Sequence, residues 1–142
     1  MDAITHGTPL PTVSELMTSD PLVVPDELPA REAARLLEFY RVTGAPVVDL
    51  DGEVIGVVSQ SNLIHTMTSG SLLDALPGLL VRDLMTRPAI TIRGWEPADA
   101  AARLMEAHHV HRLVVVGADQ RTPIGVLSQT DLVRALAEGD DG

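Results

Sequence analysis

Shifted against itself by about 68 positions, the sequence matches itself along most of its length. Val13-Ser14-Glu15-Leu16-Met17-Thr18 falls on Val81-Arg82-Asp83-Leu84-Met85-Thr86, and Pro29-Ala30 on Pro97-Ala98. Ala33-Ala34-Arg35-Leu36 meets Ala101-Ala102-Arg103-Leu104, and Val47-Val48 meets Val115-Val116. After a one-residue insertion, Ile55-Gly56-Val57 meets Ile124-Gly125-Val126, and Ser59-Gln60 meets Ser128-Gln129. Matches held in so constant a register mark a tandem duplication. A duplicated unit must fold twice and bury itself against its own copy.

Each copy reads alike locally. Leu22-Val23-Val24 is a short extended piece, followed by Ala30, Ala33, Ala34 and Leu37 at the i, i+3, i+4, i+7 spacing of an amphipathic helix. Ala98, Ala101, Ala102 and Met105 repeat that spacing. Next come two apolar runs, Pro46-Val47-Val48 and Val54 to Val58, separated by Asp51-Gly52. That pair predicts a hairpin in which both turn residues take positive φ. The second copy offers Leu113 to Val116 and Ile124 to Leu127 with a longer loop, and a second short helix starts near Ser59 and Ser128. The expected fold is α/β (α+β): tandem β-α-β-β-α repeats about a pseudo-twofold axis. The expected organisation is an N-terminal extension over 1–12, repeats over 13–68 and 81–137, a linker over 69–80 and a tail over 138–142, the ends mobile.

The residue inventory closes off several function classes. There is no cysteine and no lysine, which excludes disulfides, thiolate chemistry and Schiff-base or Walker-type lysine mechanisms. A formal charge of −10 argues against nucleic acid as a partner. Only 2% of residues are aromatic, so the core must be built of Val, Leu, Ile and Ala. No apolar run approaches the ~18 residues of a membrane span. The first thirteen residues lack a basic stretch followed by an apolar one, so the expected setting is cytoplasmic.

The Leu-Met-Thr pair of motifs, Ala45-Pro46-Val47-Val48-Asp49, and Gly56-Val57-Val58-Ser59-Gln60 with Gly125-Val126-Leu127-Ser128-Gln129 resemble a tandem pair of CBS domains, a Bateman module, from about Val13 to about Ala137. The second repeat, with Val110-His111-Arg112-Leu113 and Gln129-Thr130-Asp131, is similar to the nucleotide-binding repeats of the AMP-activated protein kinase gamma subunit. The resemblance implies an adenine-containing regulatory ligand (AMP, ADP, ATP or S-adenosylmethionine), no obligatory cofactor and no catalysis. It further implies a homodimer that regulates another protein.

Gly-x-x-Ser-x-x-Asp, from Gly125 to Asp131, lies at a strand-to-helix junction. A helix N-terminus offers unpaired N–H groups to a phosphate. Ser128 can donate a hydroxyl hydrogen there, and an ionised Asp131 has two acceptor oxygens for the vicinal hydroxyls of a ribose. Gly125 would let the ligand approach the strand. The same Ser-x-x-Asp spacing is also that of a capping box, in which the acid folds back on its own helix. The spacing fits both readings.

Carried over residue by residue, the resemblance implies adenine against Met17, Thr18, Asp20, Pro21 and Leu22, with Val42 and Thr43 closing the side. Val126 and Thr130 would flank Ser128 and Asp131, and His111 and Arg112 would face the phosphates, although an arginine at that place can equally be solvated surface. The first repeat carries Asn62 in place of the acid, so the Asn62 cleft is expected to be vacant or weak. Of the clustered histidines only His108 and His111 have chelating spacing, and no metal site is expected. No nucleophile or acid–base pair emerges. The competing reading is a ligand-free dimerisation or scaffold module.

Overall fold

A computed structural model describes residues 10–138. The first repeat runs α1 (Val13–Leu16), β1 (Thr18–Ser19), β2 (Val24–Pro25), α2 (Ala30–Tyr40), β3 (Gly44–Val48), β4 (Val54–Ser59) and α3 (Gln60–Thr68). The stretch expected as a linker is helical, with α4 (Gly70–Ala75) and a 3-10 turn over Leu76–Gly78. The second repeat runs α5 (Val81–Leu84), β5 (Thr91–Arg93), α6 (Ala98–His108), β6 (Arg112–Val116), β7 (Pro123–Ser128) and α7 (Gln129–Glu138). Of the expected extension and tail, residues 1–9 and 139–142 lie outside the described residues. Pro11 and Thr12 are held: the Pro11 carbonyl accepts from Ala98 N–H at 2.9 Å.

Two sheets form. One has the order β2-β3-β4, the other β1-β7-β6-β5. In each, the first strand of the β-α-β unit lies parallel to the second, and the hairpin partner lies antiparallel. The odd member is β1. Thr18 and Ser19, from the first repeat, pair antiparallel with Val126 and Gly125 of the second. Thr86 makes the reciprocal bridge to Val57.

The cores show the same exchange. One is built on Val24, Ala33, Leu37, Ala45, Val47, Val58 and Val81. The other is built on Ile92, Ala101, Met105, Leu113, Val115, Leu127 and Val13. Each residue of one set stands at the duplicated position of a residue in the other. In each, the valine of the leading short helix comes from the opposite repeat. Backbone hydrogen bonds fix the exchange: Val13 N–H to the Glu96 carbonyl and Val81 N–H to the Leu28 carbonyl, both 2.8 Å.

Gly56 and Gly125 make the crossings possible. A Cβ on Gly125 would lie 2.9 Å from the Thr18 carbonyl oxygen and overlap the Met17 sulfur. One on Gly56 would lie 2.7 Å from the Thr86 carbonyl oxygen and 2.9 Å from the Met85 sulfur. The expectation that Gly125 admits a ligand is thus corrected: a methionine and a crossing strand already fill that space.

The first hairpin also differs from expectation. Asp49 N–H reaches the Glu53 carbonyl at 3.0 Å, closing a three-residue loop in which Gly52 alone has positive φ, at 83°. A loop of that length needs one left-handed residue at its end, whereas a two-residue turn needs two. In the second hairpin Asp119 accepts from the backbone N–H groups of Arg121 and Thr122, at 2.9 and 3.0 Å, and from the Thr122 hydroxyl. These bonds hold its carboxyl at a pKa of about 2.

Gly125→Ala is expected to destabilise the chain by about 1–3 kcal/mol, as overpacked sites do. Gly78→Ala, where a Cβ meets nothing within 4 Å, serves as the control and should leave stability nearly unchanged. Urea denaturation of both variants checks the difference.

Candidate functional site

The pseudo-twofold packing leaves a cavity of about 420 Å³ where the two repeats meet. That volume falls in the range of small-ligand sites. Its walls come from both repeats. Thr18, Asp20, Pro21 and Leu22 form one side, where the chain leaves β1. Val42 and Thr43 come from the α2–β3 junction, and Arg112, Val126, Ser128 and Asp131 from β6, β7 and the start of α7. Three expected residues are not in the lining. Met17 is turned onto Gly125 and the second core. Thr130 is exposed on α7. His111 borders a different cavity, described below.

Three lining residues were missed: Tyr40, Arg41 and Gly44. Arg41 closes α2 in the left-handed conformation, φ 56°, which carries the chain off the helix beside the cavity. Tyr40 precedes it, about half exposed, with its ring edge-to-face against Phe39 at 5.0 Å. The available signal was their position next to Val42 and Thr43 at the end of a predicted helix. Gly44 was legible only through the repeat, since it stands where the second copy has Arg112.

That mismatch shapes the site. A Cβ on Gly44 would overlap the Arg112 guanidinium, which lies across the strand start of the opposite repeat. Arg112 Nη2 donates to the Thr43 hydroxyl at 2.5 Å. Among the described residues no carboxylate lies within ion-pairing distance of it. Its half-burial lowers its pKa, but guanidinium stays charged at any working pH. A half-buried cation with no carboxylate partner among the described residues thus faces the cavity.

Asp131 combines the two alternatives of the sequence. Its Oδ2 accepts from Ser128 N–H at 2.8 Å, and Ser128 Oγ accepts from Asp131 N–H at 3.1 Å, so the capping box is formed. Its Oδ1 stands 3.4 Å from Arg134. The carboxylate nevertheless lines the cavity, because two oxygens offer about four acceptor positions and the cap occupies one. Capping does not remove it from the site.

The duplicated cavity, about 480 Å³, lies on the other side of Arg112 and Thr43, which border both. Asn62 is not in its lining. Its Oδ1 accepts from Ser59 N–H and Oγ at 2.8 and 2.9 Å, and its amide nitrogen donates to Thr86 Oγ1 at 3.1 Å. Among the described residues no three or more His, Asp or Glu gather as metal ligands. No helix among them is long and apolar enough to cross a membrane.

Replacing Arg112 by leucine is expected to raise stability by about 0.5–2 kcal/mol, the gain often found when a site residue is traded for packing. The leucine keeps apolar bulk and removes the desolvated charge. A higher midpoint in urea checks this.

The CBS domain family matches the chain over residues 13–69 and 81–138. An uncharacterised protein of Methanocaldococcus jannaschii, MJ1426, is 27% identical over 145 residues, covering 82% of this chain and 86% of its own. Several other curated relatives are larger, and the chain spans about a quarter of those, homoserine O-acetyltransferases included, against 64% of Arabidopsis thaliana CBSX1. Among solved structures, Arabidopsis thaliana CBSX2 in complex with AMP superposes with a TM-score of 0.76 at 32% identity, covering 90% of this chain and 97% of that one. The CBS domain pair of protein MJ0100, in complex with 5-methylthioadenosine and S-adenosyl-L-methionine, gives 0.80 at 22% identity, covering 91% and 98%. Both repeats carry the match in tandem, and the chain belongs to the CBS domain family as a CBS pair.

Proposed function

We propose that the chain is a non-catalytic sensor that binds an adenine nucleotide in the Asp131 cavity and passes the change to a partner protein. The observation that carries this reading is the open cavity itself. It is walled by both repeats, with a partly buried guanidinium and a carboxylate facing it. In the proposed pose Asp131 takes the ribose diol, Arg112 and Ser128 take phosphate oxygens, and Leu22, Val42 and Val126 enclose the purine face. Arg41 and Tyr40 stand at the rim. The AMP-bound relative supports the ligand class.

Regulation follows only if the ligand binds two conformations unequally. A ligand touching both repeats has that property, since any change in their angle changes its contacts. The regulated protein is a separate chain or domain. The active sites of enzymes related to this chain lie outside the stretch they share with it in this reading.

Asn62 shows how to test the acid without breaking the helix, since asparagine caps α3 in the first repeat. Asp131→Asn is therefore expected to keep the cap and leave the unfolding midpoint little changed. AMP or ATP affinity should fall by about 1.5–3 kcal/mol, the worth of a hydrogen bond to a charged group. Calorimetry with AMP, ATP and S-adenosylmethionine on both proteins reads this. Unchanged affinity would show that the ribose is held elsewhere.

We also infer a homodimer through α3 and α7. Ile64 and Met67 on α3 are 59% and 68% exposed, and their duplicated counterparts on α7, Val133 and Leu136, are 62% and 82% exposed. Apolar groups repeated about a twofold axis suit an isologous interface. Met67→Glu with Leu136→Glu is expected to give a monomer in light scattering, with the fold intact by circular dichroism.

A further inference from the structure

The duplication supplies an internal control for each position, and away from the two cavities a group of departures from it gathers at one place. Edge strand β5, the start of α6 and the β6–β7 loop enclose a further cavity of about 260 Å³. Its apolar wall is Ile92, Leu104 and Val116, which stand where the first repeat has Val24, Leu36 and Val48. That wall is apolar in both copies. The rest of the lining is not. Arg93 stands in place of Pro25, and Glu96 in place of Leu28, which packs onto the first core. The second hairpin loop is one residue longer and contributes Gln120, left-handed at φ 62°.

Two opposite charges thus line a small, partly apolar space, and they do not neutralise each other. Arg93 and Glu96 lie across a turn in which Glu96 N–H donates to the Arg93 carbonyl at 3.2 Å. Their charged heads are nevertheless too far apart for an ion pair, and neither pairs with another described residue. Arg93 is held instead by Trp95, its guanidinium carbon 5.6 Å from the indole centroid. Contact through its face leaves the in-plane N–H fork for an acceptor. Both side chains are half-buried, and charge withdrawn from water is costly until it meets a partner. A ligand carrying both charges, one carbon apart, supplies a partner to each.

We propose that this cavity is a site for a free aliphatic α-amino acid. The ligand's carboxylate takes the Arg93 fork, the geometry of bidentate arginine–carboxylate pairs. Its ammonium donates to Glu96, and its side chain lies on Ile92, Leu104 and Val116. The Gln120 amide, donor and acceptor at once, serves either charged end. The volume falls below that of sites for drug-sized ligands and suits so small a molecule. Arg93 and Glu96 border neither inter-repeat cavity, so the site stands apart from the nucleotide reading and does not rest on it.

Trp95 is the single tryptophan of the chain and touches Arg93, so its fluorescence on the full chain reads this site directly. L-Leucine is expected to change that fluorescence saturably. Its two single-charge analogues, 3-methylbutylamine and 4-methylpentanoate, should bind about tenfold or more weakly, each having lost one charged hydrogen bond. Glu96→Gln should weaken leucine by a similar factor. Glu96→Leu should abolish binding with the fold kept, because the first repeat carries leucine there. Asp131→Asn should leave leucine binding unchanged. No saturable response, analogues that bind as well as leucine, or full affinity in both Glu96 variants would each overturn the proposal. Loss in Asp131→Asn would also overturn it, by placing leucine in the first cavity. Failure of the nucleotide reading would look different: ATP indifferent to Asp131→Asn, with the leucine results intact.

Discussion

Everything in this fold rests on a reciprocal exchange of leading segments. Val13 sits in the second core and Val81 in the first. Thr18 and Ser19 extend the second sheet, and Thr86 bridges to the first. A three-stranded sheet with one covering helix and a short follower is a poor unit alone: its edges and one face remain open. The exchange closes each core with a residue of the other half, so the repeats visible in the sequence are not separable bodies in space. Two glycines set its geometry, because only a strand without a side chain at Gly56 and Gly125 lets the crossing backbone approach so closely.

The exchange also makes the cavities. Each crossing segment, once past its partner strand, turns along the groove between the repeats and becomes a wall. Asp20, at φ 51°, is the left-handed residue at which this turn occurs in the first repeat. Both cavities are therefore by-products of the twofold packing, equal in kind and similar in size. What separates them is substitution at equivalent positions. Gly44 against Arg112 places one guanidinium across the axis where symmetry would have two or none. Asp131 against Asn62 keeps the same helix cap while leaving charge on one side only. A symmetric scaffold thus carries a pair of chemically different cavities through a few side chains.

The duplication made most of this legible. Constant register gave the element order, the core positions and the pairing of the cavities, because residues buried in one copy had to be buried in the other. The crossing of segments was not legible, since nothing in Leu-Met-Thr says which sheet it joins. For that reason Met17 was expected in the cavity and is found under it. Thr18, Asp20, Pro21, Leu22, Val42 and Thr43 were placed by the family resemblance carried over residue by residue, while Tyr40 and Arg41 escaped because a helix end carries no signal of what lies beside it. The serine–acid spacing was ambiguous in sequence for a physical reason: capping and ligand contact use the same carboxylate, and its oxygens can serve both.

A site shared between repeats gives a small module leverage over its surroundings. Asp131 and Ser128 belong to one half, Val42 and Thr43 to the other, and Arg112 already spans them through its bond to the Thr43 hydroxyl. That guanidinium has a neutral acceptor in Thr43 and a partly desolvated charge. Under the proposed function an anion beside it would supply a counter-charge, and the gain would depend on how closely the two halves approach. Binding free energy would thereby be tied to the angle between repeats, and α3 and α7 would carry that angle to the surface through the strands that precede them. Their exposed apolar residues stand one short helix away from Ser59 and Ser128. A second copy docked on those helices, as proposed, would therefore read the same coordinate that the ligand would set, which is what coupling between two sites requires.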